Sequence, residues 1–189
     1  MQPVIGPGYW VIDEGLNGRT TARDDAAAPN RNGLALLLPI PETHHPLDLV
    51  IVMLGTNDLK RRFDASPVDI AASAGELIDV IGQSRFGRCG AAPAVLLICP
   101  PPLGRLRQFA HEFEGGREKS RLLAEEFRKV ADARSCAYLD AGEHVSGSDM
   151  DGVHLDRAAH SNLGKAVAAQ LTATFSDRFP SSIQLTEPL

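Results

Sequence analysis

The sequence predicts an α/β fold, a parallel sheet covered by helices on both faces. Three observations predict it. Apolar residues come in continuous runs, which read as strands buried on both faces. Each run stops at turn-forming residues. Between the runs lie stretches with apolar residues at helical spacing, long enough to carry the chain back for parallel pairing.

In chain order, the first run is Tyr9 to Asp13, ahead of Glu14-Gly15-Leu16-Asn17-Gly18. Residues 22–33 are polar and irregular and read as a surface loop. The second run, Asp48 to Leu54, is followed by Gly55-Thr56-Asn57-Asp58. Ser66-Pro67 then supplies a helix cap with proline in the first turn, and Ile70, Ala74, Leu77, Ile78 and Ile81 form the apolar stripe behind it. The third run, Ala94 to Cys99, ends at Pro100-Pro101-Pro102. Gly116 to Arg134 reads as one helix, with Leu123, Phe127, Val130 and Ala131 on one side. The fourth run, Cys136 to Leu139, precedes Asp140-Ala141-Gly142, and a last helix spans Asp156 to Phe175 with Leu163, Val167 and Leu171 at helical spacing. Residues 1–178 read as a single domain and 179–189 as a tail trailing along the surface.

Composition narrows the class of function. With 189 residues, 43% hydrophobic and 23% charged, the chain is unlike a disordered, collagenous or coiled-coil sequence. Its 19 basic and 24 acidic side chains leave a net charge of −5 with no basic run, which argues against nucleic acid or an anionic membrane face as partner. A small molecule is the better expectation. Cys89, Cys99 and Cys136 are odd in number and lack C-x-x-C spacing, which disfavours a disulfide framework and a zinc site and fits a reducing, cytoplasmic setting. No apolar stretch reaches membrane-spanning length, and the first residues lack the basic start and apolar run of an export signal.

In an open parallel sheet, ligands bind beyond the carboxyl ends of the strands, so the loops after the runs are where chemistry is sought. In Asp151-Gly152-Val153-His154, a carboxylate three residues before a histidine, with a glycine to bend the loop, can accept Nδ1–H and leave Nε2 outward as a base. The spacing alone is equally that of a capping or surface pair. Gly18 can offer a backbone N–H and Asn57 a side-chain amide to a developing oxyanion. A turn glycine and a capping asparagine are the ordinary readings of the same residues.

Taken together and in order, these blocks resemble the SGNH hydrolase superfamily, also called GDSL esterases. Glu14-Gly15-Leu16-Asn17-Gly18-Arg19-Thr20-Thr21, Pro100-Pro101-Pro102 and Phe113-Glu114-Gly115-Gly116 resemble its arylesterase and acyltransferase branch, and the likeness runs from Tyr9 to Leu171. The resemblance implies a flavodoxin-like three-layer α/β/α sandwich whose five parallel strands follow the order 2-1-3-4-5. It implies that Asp151 orients His154, that His154 is the general base and then acid, and that Gly18 and Asn57 form the oxyanion hole. It implies a small-molecule ester as partner, no cofactor, and self-association into a homo-oligomer.

One block is missing. The family's nucleophilic serine sits in a Gly-Asp-Ser at the end of its first strand, and that sequence occurs nowhere here. Ser146 and Ser148 follow the wrong strand, there is no G-x-S-x-G elbow, and Cys99 beside Leu97, Ile98 and three prolines reads as inert core. The resemblance therefore implies a serine-bearing strand upstream of Met1, lost either because Met1 is internal to a longer protein or because the gene is shortened. That strand would lie between the first and second runs, so the chain alone is expected to expose unpaired edges there, or to pair the two runs directly. It is expected to be poorly soluble and without normal esterase turnover.

Three readings of function follow: an esterase of small acyl esters that also transfers acyl groups to alcohols, a carbohydrate O-deacetylase, and a non-catalytic fragment or ligand-binding protein. Among other residues, His44, His45, His111, His144 and His160 do not converge as metal ligands do. Arg19 reads as a brace or a surface ion pair. Phe109, Phe113 and Trp10 are candidates for an acyl wall, with core filling the stronger expectation for Trp10.

Overall fold

The computed structural model describes residues 9–175. The tail read at 179–189 lies outside them. Three strands, β1 (Leu49–Val52), β2 (Ala94–Cys99) and β3 (Ala137–Asp140), pair in parallel in the order β1-β2-β3, with Val50 beside Val95 and Ile98 beside Leu139. That run of neighbours corresponds to the last three positions of the implied order 2-1-3-4-5.

Six helices accompany the sheet among the described residues: α1 (Gly33–Leu37), α2 (Pro39–His44), α3 (Pro67–Gln83), α4 (Gly116–Ser120), α5 (Leu123–Ala133) and α6 (Arg157–Phe175). α3 begins where Ser66-Pro67 predicts, through a reciprocal cap: Asp69 N–H donates to Ser66 Oγ at 3.1 Å and Ser66 N–H to Asp69 Oδ2 at 3.0 Å. Asp156 starts α6 by accepting Ala159 N–H at 2.8 Å.

Alternation along β2 divides the core into two. Leu97 and Cys99 join Val52, the α3 residues Ile70, Leu77 and Ile81, and Leu123, Phe127 and Ala131 of α5. Leu96 and Ile98 face the other way, onto Leu139 and onto Leu163, Val167 and Leu171 of α6. Helices therefore cover both faces of the sheet, which is why its strands are apolar throughout.

Two expected elements differ. Residues 9–13 form no strand: they are irregular, and Trp10 is 90% exposed, so it fills no core. An extended segment becomes a strand by exchanging backbone bonds with a neighbour. Among the described residues β1 gives it none, so the direct closure of the two runs does not occur; Tyr9 and Val11 pack instead with the cluster on the α6 side. The helix expected over 116–134 breaks between α4 and α5. The break follows Ser120, 2% exposed, whose hydroxyl donates to Arg117 O and accepts Leu103 N–H at 3.0 Å, tying the helix end to the loop after β2.

Phe127 is fully buried and its ring meets the turn after β1: a Cβ built on Gly55 would stand 3.2 Å from Phe127 Cζ. Phe127→Ala is expected to destabilise the chain by about 3–5 kcal/mol through lost burial and a cavity beneath that turn. Urea unfolding checks this, and a loss below about 1 kcal/mol would mean that the core closes around the gap.

Candidate active site

Parallel pairing puts the carboxyl ends of all three strands at one end of the sheet. Gly55 to Asp58 follows β1, Pro100-Pro101-Pro102 follows β2, and the Asp151–His154 loop follows β3 through a 3-10 turn at Ala141–Glu143. Gly55 leaves β1 at φ +129, a backbone conformation that side chains rarely adopt, and turns the chain into the 3-10 turn Asn57–Leu59.

The structure brings Asp151 and His154 into contact. Asp151 Oδ2 lies 2.8 Å from His154 Nδ1, while Oδ1 accepts Val153 N–H at 2.8 Å and His154 N–H at 2.9 Å. Burial alone would raise this carboxyl, but the hydrogen bonds from the imidazole and the two amides outweigh it and hold it at about 2. The ring is more than half exposed, and no other protein group among the described residues hydrogen-bonds it, so Nε2 faces outward. Ser148, which precedes this pair, lies on the wrong side of it: its Oγ stands 3.5 Å from Asp151 Oδ1, behind the carboxylate. Ser146 is exposed.

Backbone contacts hold the loop in this shape. Ser148 N–H donates to His154 O, Gly152 N–H to Ser148 O, and Gly104 N–H to Gly152 O, each at 2.8 Å. The strands of this knot approach so closely that a Cβ on Gly147 would lie 2.3 Å from Gly152 O, and one on Gly152 would lie 2.5 Å from Arg105 O. Arg107 Nε donates to Asp149 O at 2.5 Å. The 104–109 segment is therefore part of the support for the pair, a role that sequence spacing does not reveal.

The other two candidates are tied through Arg19, the residue after Gly18. Asn57 Nδ2 donates to Arg19 O at 3.1 Å, which sets its amide against the segment headed by Gly18. Gly18 N–H has no acceptor among the described residues. Arg19 itself reaches back, its Nη1 donating to Glu14 O at 2.7 Å. Asp58, to which no motif assigns a role, is completely buried and grips Thr21; burial pushes its carboxyl upward despite the Thr21 and Arg23 contacts.

Aromatic rings link the two halves. Phe109 stands edge-on to His154 with centroids 5.9 Å apart and to Phe113 at 6.3 Å, and Lys60 Nζ sits 5.9 Å from the Phe113 centroid. Beneath them, Arg62 bridges buried Asp25 at 2.5 Å and Glu112 at 3.2 Å, and Glu112 also pairs with Lys60 at 3.1 Å. Arg62 holds the Asp25 carboxyl below its ordinary value.

Cys99 is buried, its thiol pushed upward by that burial and placed to donate to Pro100 O at 3.4 Å, so it is no nucleophile. His44 bonds Glu14 at 2.7 Å. No helix among the described residues is long and apolar enough to cross a membrane.

A paired carboxylate and imidazole, an open glycine amide and an oriented asparagine amide, all on loops at one end of a parallel sheet, make a constellation suited to acyl transfer. The sequence profile of the GDSL-like lipase/acylhydrolase family matches residues 4–161. The chain belongs to that family. It is 38% identical to a carbohydrate acetylesterase from Sinorhizobium meliloti, over 92% of this chain and 83% of that one, with a TM-score of 0.88. It is 39% identical to an aryl esterase of M. smegmatis, over 91% and 82% of the two chains, with a TM-score of 0.87. No curated protein matches the sequence.

The depressed carboxyl carries a pH signature. A group whose value in the folded chain lies below the ordinary carboxylate value, about 3.9, contributes stability that is present above that value and fades as pH falls toward its folded value, about 2 here. Asp151→Asn is therefore expected to flatten the fall in stability between about pH 4 and pH 2. Urea unfolding at a series of pH values checks it; superimposable slopes for the two proteins would contradict the assignment.

Proposed function

We propose that this esterase-family chain carries the site of a serine-type carboxylic-ester hydrolase acting on small acyl esters, aryl and acetyl esters among them. The observation that supports it most is the Asp151–His154 pair, with Nδ1 held at 2.8 Å and Nε2 turned outward. His154 takes the proton from an attacking hydroxyl at Nε2, and Asp151 stabilises the imidazolium that forms. Gly18 N–H and the free proton of the Asn57 amide stabilise the oxyanion of the tetrahedral intermediate. His154 then returns its proton to the leaving alcohol. When a second alcohol replaces water at the acyl-enzyme, the same steps transfer the acyl group.

The hydroxyl itself is the group these 189 residues do not place. In this reading a serine ending a strand alongside β1 supplies it, where the sheet edge carries no ladder among the described residues. Phe109 favours a small apolar acyl or aryl group beside His154, while Phe113, 2% exposed, belongs to the core and backs Phe109 rather than meeting the acyl group. The likeness to a carbohydrate acetylesterase keeps acetylated sugars as the second substrate class. The three free cysteines suit a cytoplasmic setting, and a homo-oligomer remains part of the proposal.

The test compares the 189-residue chain with a form extended upstream in frame to include a strand ending Gly-Asp-Ser. A fluorophosphonate probe is expected to label the extended form alone. In that form His154→Ala should abolish most turnover, and Asn57→Ala should lower kcat by on the order of 10²–10³. Labelling of neither form, or the lack of any such upstream strand, would favour a non-catalytic, ligand-binding chain. Unchanged kcat in Asn57→Ala would remove Asn57 from the oxyanion hole. Rates on an aryl acetate against an acetylated sugar separate the two substrate classes.

A further inference from the structure

We propose that Asp58 is a positioning residue that sets the spacing of the two oxyanion donors, by clamping Thr21 to the turn that carries Asn57. The inference rests on the esterase reading for its consequence, but not for its geometry.

Asp58 has no exposed surface, and a carboxylate is kept in such a place only when its oxygens are well satisfied. Here they are satisfied from one direction. Thr21 N–H donates to both oxygens, at 3.0 and 3.2 Å, and Thr21 Oγ1 donates to Oδ1 at 2.6 Å. Arg23 Nε stands 3.6 Å from Oδ1. The residue before Asp58 makes the second half of the grip, since Asn57 Nδ2 holds Arg19 O at 3.1 Å. Two successive residues of one turn thus seize residues 19 and 21 of another, and Gly18 is the next residue out.

Behind that segment the backbone is sewn to the start of α1: Thr20 N–H donates to Arg31 O at 2.9 Å, Gly33 N–H to Thr20 O at 3.1 Å, and Leu34 N–H to Thr21 O at 2.9 Å. The segment therefore has a fixed rear, and its own turn around Gly18 is closed by Arg19 N–H to Leu16 O at 3.1 Å and by Arg31 Nε to Asn17 O at 2.8 Å; Asn57 and Asp58 are what tie that turn to the one after β1. A negative charge beside an oxyanion donor opposes the charge that develops there, so the gain from Asp58 lies in geometry. Without the clamp, the two turns, far apart in sequence, are left joined by the single Asn57–Arg19 hydrogen bond, and the spacing of Asn57 and Gly18 is less firmly set.

NMR of the 189-residue chain tests this directly. Asp58→Asn removes the charge; Thr21→Val keeps the volume and removes the hydroxyl; Thr21→Ser restores the hydroxyl. The expected result is that Asp58→Asn and Thr21→Val shift the Gly18 amide and Asn57 side-chain amide resonances while the His154 ring and Val153 amide stay in place, and that Thr21→Ser keeps the parent positions. In a serine-bearing form, Thr21→Val should then lower kcat by on the order of tenfold or more at unchanged KM. Unmoved Gly18 and Asn57 signals would overturn the proposal. So would shifts that spread to His154 and Val153, or failure of both variants to fold, since either makes Asp58 a support of the fold as a whole. Absence of turnover in every serine-bearing protein would instead overturn the esterase reading, while the resonance pattern still decides the clamp.

Discussion

Parallel pairing is the constraint on which the rest depends. Because β1, β2 and β3 run in one direction, the turn after each strand emerges at the same end of the sheet, where Gly55 lies against Pro100 and Gly104 against Gly152 without any one segment being long. The helices that return the chain cover both faces, so the strands stay apolar and the polar residues gather where the strands stop. Polar side chains at such a rim can be tied to one another, as in the pairs Asp151–His154, Asn57–Arg19 and Asp58–Thr21.

Two kinds of tie hold the rim. The knot around Asp151 is made of backbone groups brought within contact because Gly104, Gly147 and Gly152 have no side chains to keep them apart. The tie around Asn57 and Asp58 is made of side chains, one of them a buried carboxylate. The first fixes a base, and under the proposed function the second fixes two donors. The ion pairs among Asp25, Arg62, Glu112 and Lys60 form a separate set that reaches Phe113 through Lys60.

Much of this was legible in the sequence wherever the deciding contact is local. The Asp151–His154 pair spans three residues, and the cap at Ser66 spans three more, so spacing reveals both. The helical stripes of α3 and α6 follow from periodicity, because the sheet they cover is apolar. Elements decided at long range are not legible in this way. Residues 9–13 have the apolar character of a strand, but strand formation depends on a neighbour, and Trp10 ends up in solvent. The break between α4 and α5 depends on Ser120 reaching Leu103, and the clamp depends on Asp58 reaching Thr21 across 37 positions. No periodicity or short motif carries such information.

The junction between Phe109 and the knot beneath it has a practical side. The ring that flanks His154 belongs to the segment whose Gly104 and Arg107 brace the same loop. Under the proposed function, anyone engineering the enzyme to accept bulkier acids by trimming that ring would be altering the base's mounting as well as the room beside it. Selectivity and rate are then coupled traits, and Phe113 offers no way round the coupling, since that ring is buried in the core behind Phe109.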